Sequence, residues 1–248
     1  MSEISLFEFE NQQTENMFSC KNYILRNSRH EKAILENSAG EKMVRHFLYK
    51  PADISVYKAL TEISNPFLCR IYEISESEEG FAVYEEYCDG MTLAECGNDG
   101  MSEYDAVEVA CQICRGLHAL HSCGIVHRDI KPDNIIILND NTVKIIDYDI
   151  SKIYKMDKLS DTQALGTVGF AAPEQYGFHQ SDCRADLYSL SVLLNYLLTG
   201  EHPSVKMCND KNISKILRKC LAINPEDRYS SAEELYIAMK KAQRRLKK

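Results

Sequence analysis

The sequence predicts an α+β fold in two lobes: a small β-rich N-terminal lobe and a larger, mainly α-helical C-terminal lobe. Three observations predict it. Short β-branched and aromatic runs separated by turn signals crowd between Tyr23 and Tyr84. From Tyr104 onward the apolar spacing becomes helical. A chain of 248 residues is long enough for one large domain or for two lobes around one cleft.

Residues 1–20 are acidic and rich in Asn and Gln, with Leu6, Phe7 and Phe9 as docking points, and read as an N-terminal extension. Residues 21–87 form the small lobe. Its strands are expected at Tyr23–Leu25, Ala33–Leu35 and Met43–Phe47, with a turn at Asn37-Ser38-Ala39-Gly40. Pro51 suits the first turn of a helix reaching about Ser64. Two further strands, Cys69–Ile74 and Phe81–Tyr84, flank the acidic turn Glu76–Gly80.

Residues 88–248 form the large lobe. An amphipathic helix is expected over Tyr104–His121, then a loop containing Pro132, which disfavours regular helix. Ile135-Ile136-Ile137, Asn139-Asp140-Asn141 and Val143–Ile146 read as a hairpin. Ser231-Ala232-Glu233-Glu234 begins a last helix that runs to Lys248 and ends in a basic cluster. Basic residues suit a helix C-terminus, and the same cluster would dock an acidic partner.

The hydrophobic share of 44% and charged share of 27% are those of a soluble globular protein. The net charge of −8 speaks against a nucleic-acid footprint. No apolar run has the length of a bilayer span, and the N-terminus is unlike a signal peptide, so a cytoplasmic location is expected. Ten irregularly spaced cysteines fit reduced thiols. Cys111, Cys114 and His118 have helical spacing; the choice is between a metal site and cysteines that fill a buried helix face.

The chemistry gathers at His127-Arg128-Asp129-Ile130-Lys131-Pro132-Asp133-Asn134, with Asp147 eighteen residues after Asp129. Asp129 can accept a proton, Lys131 can hold phosphate charge, and Asn134 with Asp147 offers hard oxygen ligands for Mg²⁺. This ordered set resembles the catalytic loop and metal-binding Asp of eukaryotic-type protein kinases, with Lys131 as in Ser/Thr rather than Tyr kinases. The resemblance implies one kinase domain that uses ATP and Mg²⁺.

It also implies roles further along the chain. Gly166–Glu174 resembles the close of the activation segment in bacterial Ser/Thr kinases, with Thr167 positioning the substrate. Ser160 and Thr162 become candidate phosphorylation sites whose phosphate would pair with Arg128; a merely flexible polar loop is the alternative. Glu86 and Cys88 would offer backbone groups to adenine, and Val44 and Ile136 are assigned to the same nucleotide. Glu85 takes the gatekeeper place, where a buried charge needs a partner. Asp186 would bond the catalytic-loop backbone, Arg228 would pair with Glu174, and Leu60, Ile71, His127 and Tyr148 would stack between the lobes.

The small lobe departs from the family pattern. Arg26–Lys32, in place of the G-x-G-x-x-G turn, has no glycine. His46 stands where the strand lysine belongs, Val56 where its helix Glu belongs, and Asp147-Tyr148-Asp149 replaces D-F-G. Three readings stay open: another cation substitutes (Lys32, or Arg45 on the opposite strand face), His46 itself touches phosphate, or nucleotide binding is weakened. Two functions follow. One is a protein Ser/Thr kinase in which Asp129, Lys131, Asn134 and Asp147 are catalytic. The other is a pseudokinase that binds or regulates a partner protein.

Overall fold

A computed structural model describes residues 17–97, 101–154, 166–176 and 181–246. The chain divides into two compact units, Met1–Ser64 with Cys69–Cys88, and Asn65–Leu68 with Asp89–Lys248. The first is the β-rich lobe and the second the mainly helical lobe of an α+β bilobal fold. Among the described residues no helix is long and apolar enough to cross a membrane.

In the first unit five antiparallel strands form one sheet: β1 (Phe18–Arg26), β2 (His30–Asn37), β3 (Lys42–Tyr49), β4 (Ile71–Glu76) and β5 (Gly80–Glu86), in the order β1-β2-β3-β5-β4. β1 begins at Phe18, so the expected boundary after residue 20 falls inside a strand. Two register shifts interrupt its pairing with β2, and Tyr23, Ile24 and Leu25 stay exposed, as suits an edge strand. Asn37 closes the β2–β3 turn by accepting the N–H groups of Ala39 and Glu41, with Gly40 at φ 82°.

Alternation assigns the two faces of the sheet. Leu35, Met43, Ala82 and Tyr84 cluster on one, with Phe18, Phe47 and Tyr72 packed against them. Register places Lys32, His46 and Val83 in one row of the other, next to Ile34, Val44 and Glu85.

The helix expected from Pro51 to Ser64 is only α1 (Ser55–Leu60). Asp53 Oδ1 accepts the Ser55 N–H before the helix starts. Past its end, Thr61 Oγ1 turns back to Lys58 O and the chain runs into Asn65-Pro66, which disfavours helix.

In the second unit β6 (Gly90–Thr92) pairs with β8 (Ile135–Leu138), which pairs with β9 (Val143–Ile145), while β7 (Ile125–Val126) pairs with β10 (Lys152–Ile153). Its helices are α2 (Leu93–Cys96), α3 (Glu103–Ser122), α4 (Cys183–Thr199), α5 (Lys211–Cys220) and α6 (Ala232–Gln243). Ser102, Asp182, Asp210 and Ser231 cap the N-termini of the last four of these helices. Leu187, Leu190, Leu193 and Leu194 of α4 are buried, as the run of apolar residues requires.

One further expectation changes. α6 ends at Gln243, where the backbone bonds tighten to Arg245 N–H on Ala242 O and Leu246 N–H on Gln243 O, and its last turn is held to α3: Lys240 pairs with Glu108, and Gln243 bonds both Glu108 and Tyr104 O. Part of the basic end is therefore already neutralised within the fold. On α3, Cys111 and Cys114 are buried whereas His118 is exposed, so the three do not converge on one ligand position. Burial, with a smaller push from Glu108, raises the Cys111 thiol to about 12 against the pull of Lys240.

Candidate active site

The loop between β7 and β8 is built on a buried carboxylate. Asp186, in the first turn of α4, accepts the N–H groups of His127 (2.9 Å) and Arg128 (2.7 Å), and His121 Nε2 lies 2.8 Å from its Oδ2. Burial disfavours its charge, but the His121 bond, the neighbouring imidazoles and the Arg128 N–H outweigh that and hold the carboxyl below its usual range. Gln175 grips the loop from another side, donating to Arg128 O at 2.8 Å while accepting Ala172 N–H. These contacts hold Arg128 at φ 73°, which costs a non-glycine residue about 1–2 kcal/mol.

His127 is fully buried, its ring edge-on to Tyr148 at 5.5 Å. Its Nδ1 accepts the Asp129 N–H, so the proton is assigned to Nε2, which donates to Ile146 O at 3.2 Å. Burial lowers its pKa and keeps the imidazole neutral. The ring thereby ties the loop to the segment leading into Asp147. Ile146 N–H returns a second tie to Asn134 O at 3.0 Å.

On this frame four side chains meet. Thr167 Oγ1 donates to Asp129 Oδ1 at 2.7 Å, and Lys131 Nζ donates to Thr167 Oγ1 at 2.9 Å. Lys131 Nζ is also 2.8 Å from Asp129 Oδ2. Asn134 Nδ2 donates to Asp129 O (2.9 Å) and Oδ2 (2.8 Å), which fixes the amide and turns its oxygen away from Asp129. Asp147 follows directly on Ile146, half-buried, at φ 67°. An amide oxygen and a carboxylate are a donor set that fits Mg²⁺.

Below the loop, Arg228 makes a two-pronged pair with Glu174 at 2.7 and 2.8 Å, both buried. The roles expected for Asp186 and Arg228 thus have their contacts in place. Ile136 lies half-buried on β8. Ser160 and Thr162 lie outside the described residues. Leu60 and Ile71 are buried in the first unit and His127 and Tyr148 in the second.

Between β1 and β2 the first unit has no glycine. The β1–β2 turn closes on itself: Asn27 Oδ1 accepts the N–H groups of Arg29 (2.8 Å) and His30 (2.9 Å). These are donors that a glycine-rich turn would turn towards phosphate. His46 is fully buried, with Nε2 3.2 Å from His30 Nδ1 and Nδ1 3.1 Å from Tyr57 Oη and 3.3 Å from Glu85 Oε1. The partner that Glu85 requires is therefore His46.

Of the candidate substitute cations, Arg45 is held by Glu31 at 3.1 Å on the far face, and Arg26 joins the same carboxylate at 3.2 Å. Lys32 shares the face and row of His46, half-buried, and Val44 lies in the next row opposite Glu85. The Glu86 N–H donates to Arg70 O, and Glu86 O accepts from Cys69 Sγ at 3.5 Å. His46 on β3 and Val56 on α1 stand at the positions expected for the strand lysine and the helix glutamate.

Sequence reasoning missed His121, Gln175, Tyr57 and His30. One signal was available for His46: with β3 and β5 antiparallel, a residue two places from the partner of Glu85 lies diagonally across from it on one face.

The family description "Protein kinase domain" matches residues 11–243. The chain is similar to the serine/threonine-protein kinase PknB of Mycobacterium leprae, 32% identical over 207 residues, covering 70% of this chain and 33% of that protein. It is equally similar to PknB of Mycobacterium tuberculosis, 32% identical over 204 residues, covering 70% and 33%. The chain spans about a third of the length of these curated relatives.

Proposed function

This chain belongs to the protein kinase domain family, in its bacterial eukaryotic-type branch, and from that premise we propose that it transfers the γ-phosphoryl group of ATP to a protein Ser or Thr hydroxyl. The observation that carries this reading is the closed set Asp129–Thr167–Lys131–Asn134. When bound, ATP supplies the phosphoryl group and Mg²⁺ neutralises its charge. Asp129 orients the incoming hydroxyl and accepts its proton, exchanging the bond it makes with Thr167. Lys131 balances negative charge beside that hydroxyl, and Thr167 holds the substrate chain in place. Asn134 and Asp147 are the residues that would hold the metal. Val44, Ile136 and the Glu86 and Cys88 backbones are assigned to adenine, Lys32 to phosphate, and Arg128 to a phosphate on Ser160 or Thr162. Protein substrates in the cytoplasm belong to the same proposal, as does an acidic partner at the basic end of α6.

Radiolabelled ATP separates this from the alternative. Mg²⁺-dependent label in the wild type that Asp129→Asn abolishes supports transfer; label that survives the substitution rejects the assignment. The second reading, a non-catalytic kinase-fold binding module, is favoured by one observation: His46 is committed to Glu85, Tyr57 and His30. It requires no label at all, with a partner protein still bound.

A further inference from the structure

Where the first unit ends, three side chains with metal-ligating atoms meet. Cys69 lies just before β4, Glu86 closes β5, and Cys88 follows two residues on. The two thiol sulfurs and a carboxylate oxygen of Glu86 all lie within 4.8 Å of one another. Both thiols lie near the carbonyl oxygen of Glu86, at 3.5 Å from Cys69 and 3.9 Å from Cys88, and Cys69 Sγ is also 3.9 Å from Arg70 O. The Glu86 carboxylate is oriented in turn by the Arg70 N–H, 3.1 Å from Oε2. From this geometry we infer that Cys69, Cys88 and Glu86 form a binding site for a thiophilic divalent cation, with Zn²⁺ the best match.

Dimensions and chemistry both favour it. Tetrahedral Zn²⁺ with two sulfurs and a carboxylate oxygen needs ligand atoms about 3.5–3.8 Å apart, so a contraction of roughly 1 Å completes the set. Cys69 is buried, whereas Glu86 and Cys88 are half-exposed. The fourth position, on the side of the half-exposed ligands, is left to water. Two soft sulfurs select Zn²⁺ over Mg²⁺, which prefers oxygen ligands throughout. The backbone bond to the carboxylate is the kind of outer contact that steadies a ligand.

Binding is an exchange: one Zn²⁺ enters, two sulfur–metal bonds and one oxygen–metal bond form, and the two thiol protons leave to solvent. No electrons are transferred. Glu86 and Cys88 bracket the backbone assigned above to adenine, so the ion would stiffen that stretch and compete with nucleotide. Only this competition rests on the proposed function; the site itself does not.

The test uses the full chain, reduced and free of metal, titrated with Co²⁺ as a spectroscopic stand-in for Zn²⁺. One equivalent should produce thiolate-to-cobalt charge-transfer absorption together with the visible bands of a tetrahedral ion, and Zn²⁺ should bleach both. Cys88→Ser should lose at least half of the charge-transfer band, the share owed to its own sulfur, while Cys20→Ser, at an exposed cysteine remote from the cluster in sequence, should keep it. Absence of the band in wild type, or its undiminished persistence in Cys88→Ser, overturns the site. Should Cys88→Ser fail to fold, X-ray absorption of the Zn²⁺-loaded wild type decides instead: two sulfurs in the coordination sphere support the site, none rejects it. ATP plays no part in these measurements, so an inactive kinase does not affect their outcome.

Discussion

The imidazole of His46 lies 3.3 Å from the carboxylate of Glu85, and both are buried in the β-rich unit. A strand position expected to carry a phosphate-binding lysine instead carries a ring that satisfies a buried acid. Removing one member of such a pair strands the other. Glu85→Leu should therefore lower stability by about 1–3 kcal/mol in urea unfolding. His46→Leu combined with Glu85→Leu should recover part of that loss. Strictly additive losses in the double variant would show that the two residues are not coupled.

Thr167 bonds both Asp129 and Lys131. Hydrogen bonds to charged groups contribute about 1.5–3 kcal/mol, so Thr167→Val should reduce phosphoryl transfer roughly 10–100-fold. Thr167→Ser keeps the hydroxyl and should retain most activity. Initial rates of label transfer, measured beside thermal melts, check this; equal rates for Thr167→Val and wild type would remove Thr167 from the proposed site.

The Arg228–Glu174 pair is buried at both ends. Glu174→Ala should cost about 3–5 kcal/mol, because it leaves a guanidinium in the interior without its carboxylate. Glu174→Gln keeps two hydrogen-bonding atoms and should cost less. Urea midpoints rank the two variants, and a Glu174→Ala protein as stable as wild type would contradict the buried geometry.

His127 is held neutral in the folded protein, its pKa lowered by burial, whereas in the unfolded chain it protonates near 6.5. The unfolded state thus binds the extra proton first as the solution is acidified. Stability from this group is complete above pH 6.5 and falls as the pH drops towards the folded value, by at most about 1.4 kcal/mol per pH unit. Asp186, also lowered in the fold, adds stability above pH 3.8 that is lost as the pH falls through its folded value. Urea unfolding between pH 8 and pH 5 should show the first slope, and His127→Phe should flatten it. Identical slopes in both proteins would mean that other groups carry the acid sensitivity.

Much of the second unit was readable in advance because its parts are local. His127–Asn134 carries its turn-forming proline and its polar side chains within eight residues, and the β8–β9 hairpin shows its turn in Asn139-Asp140-Asn141. The length of α1 was misread because Pro51 marks a plausible start without saying where side-chain bonds will divert the backbone. The gripping of Arg128 by Gln175, forty-seven residues away, had no local signature at all.

What the sequence by itself determined was the order of chemical groups: the family, the two-part α+β plan, and the loss of the lysine, the helix glutamate and the glycines. Those are statements about which residue stands where, and local spacing suffices for them. Only the tertiary structure decided what filled the losses. Strand register set His46 beside Glu85, turned Arg45 to the opposite face and brought Cys69 to Cys88. A partner for a buried charge is chosen by which atoms the packed sheet brings within about 3 Å, and that choice is made between strands rather than along them.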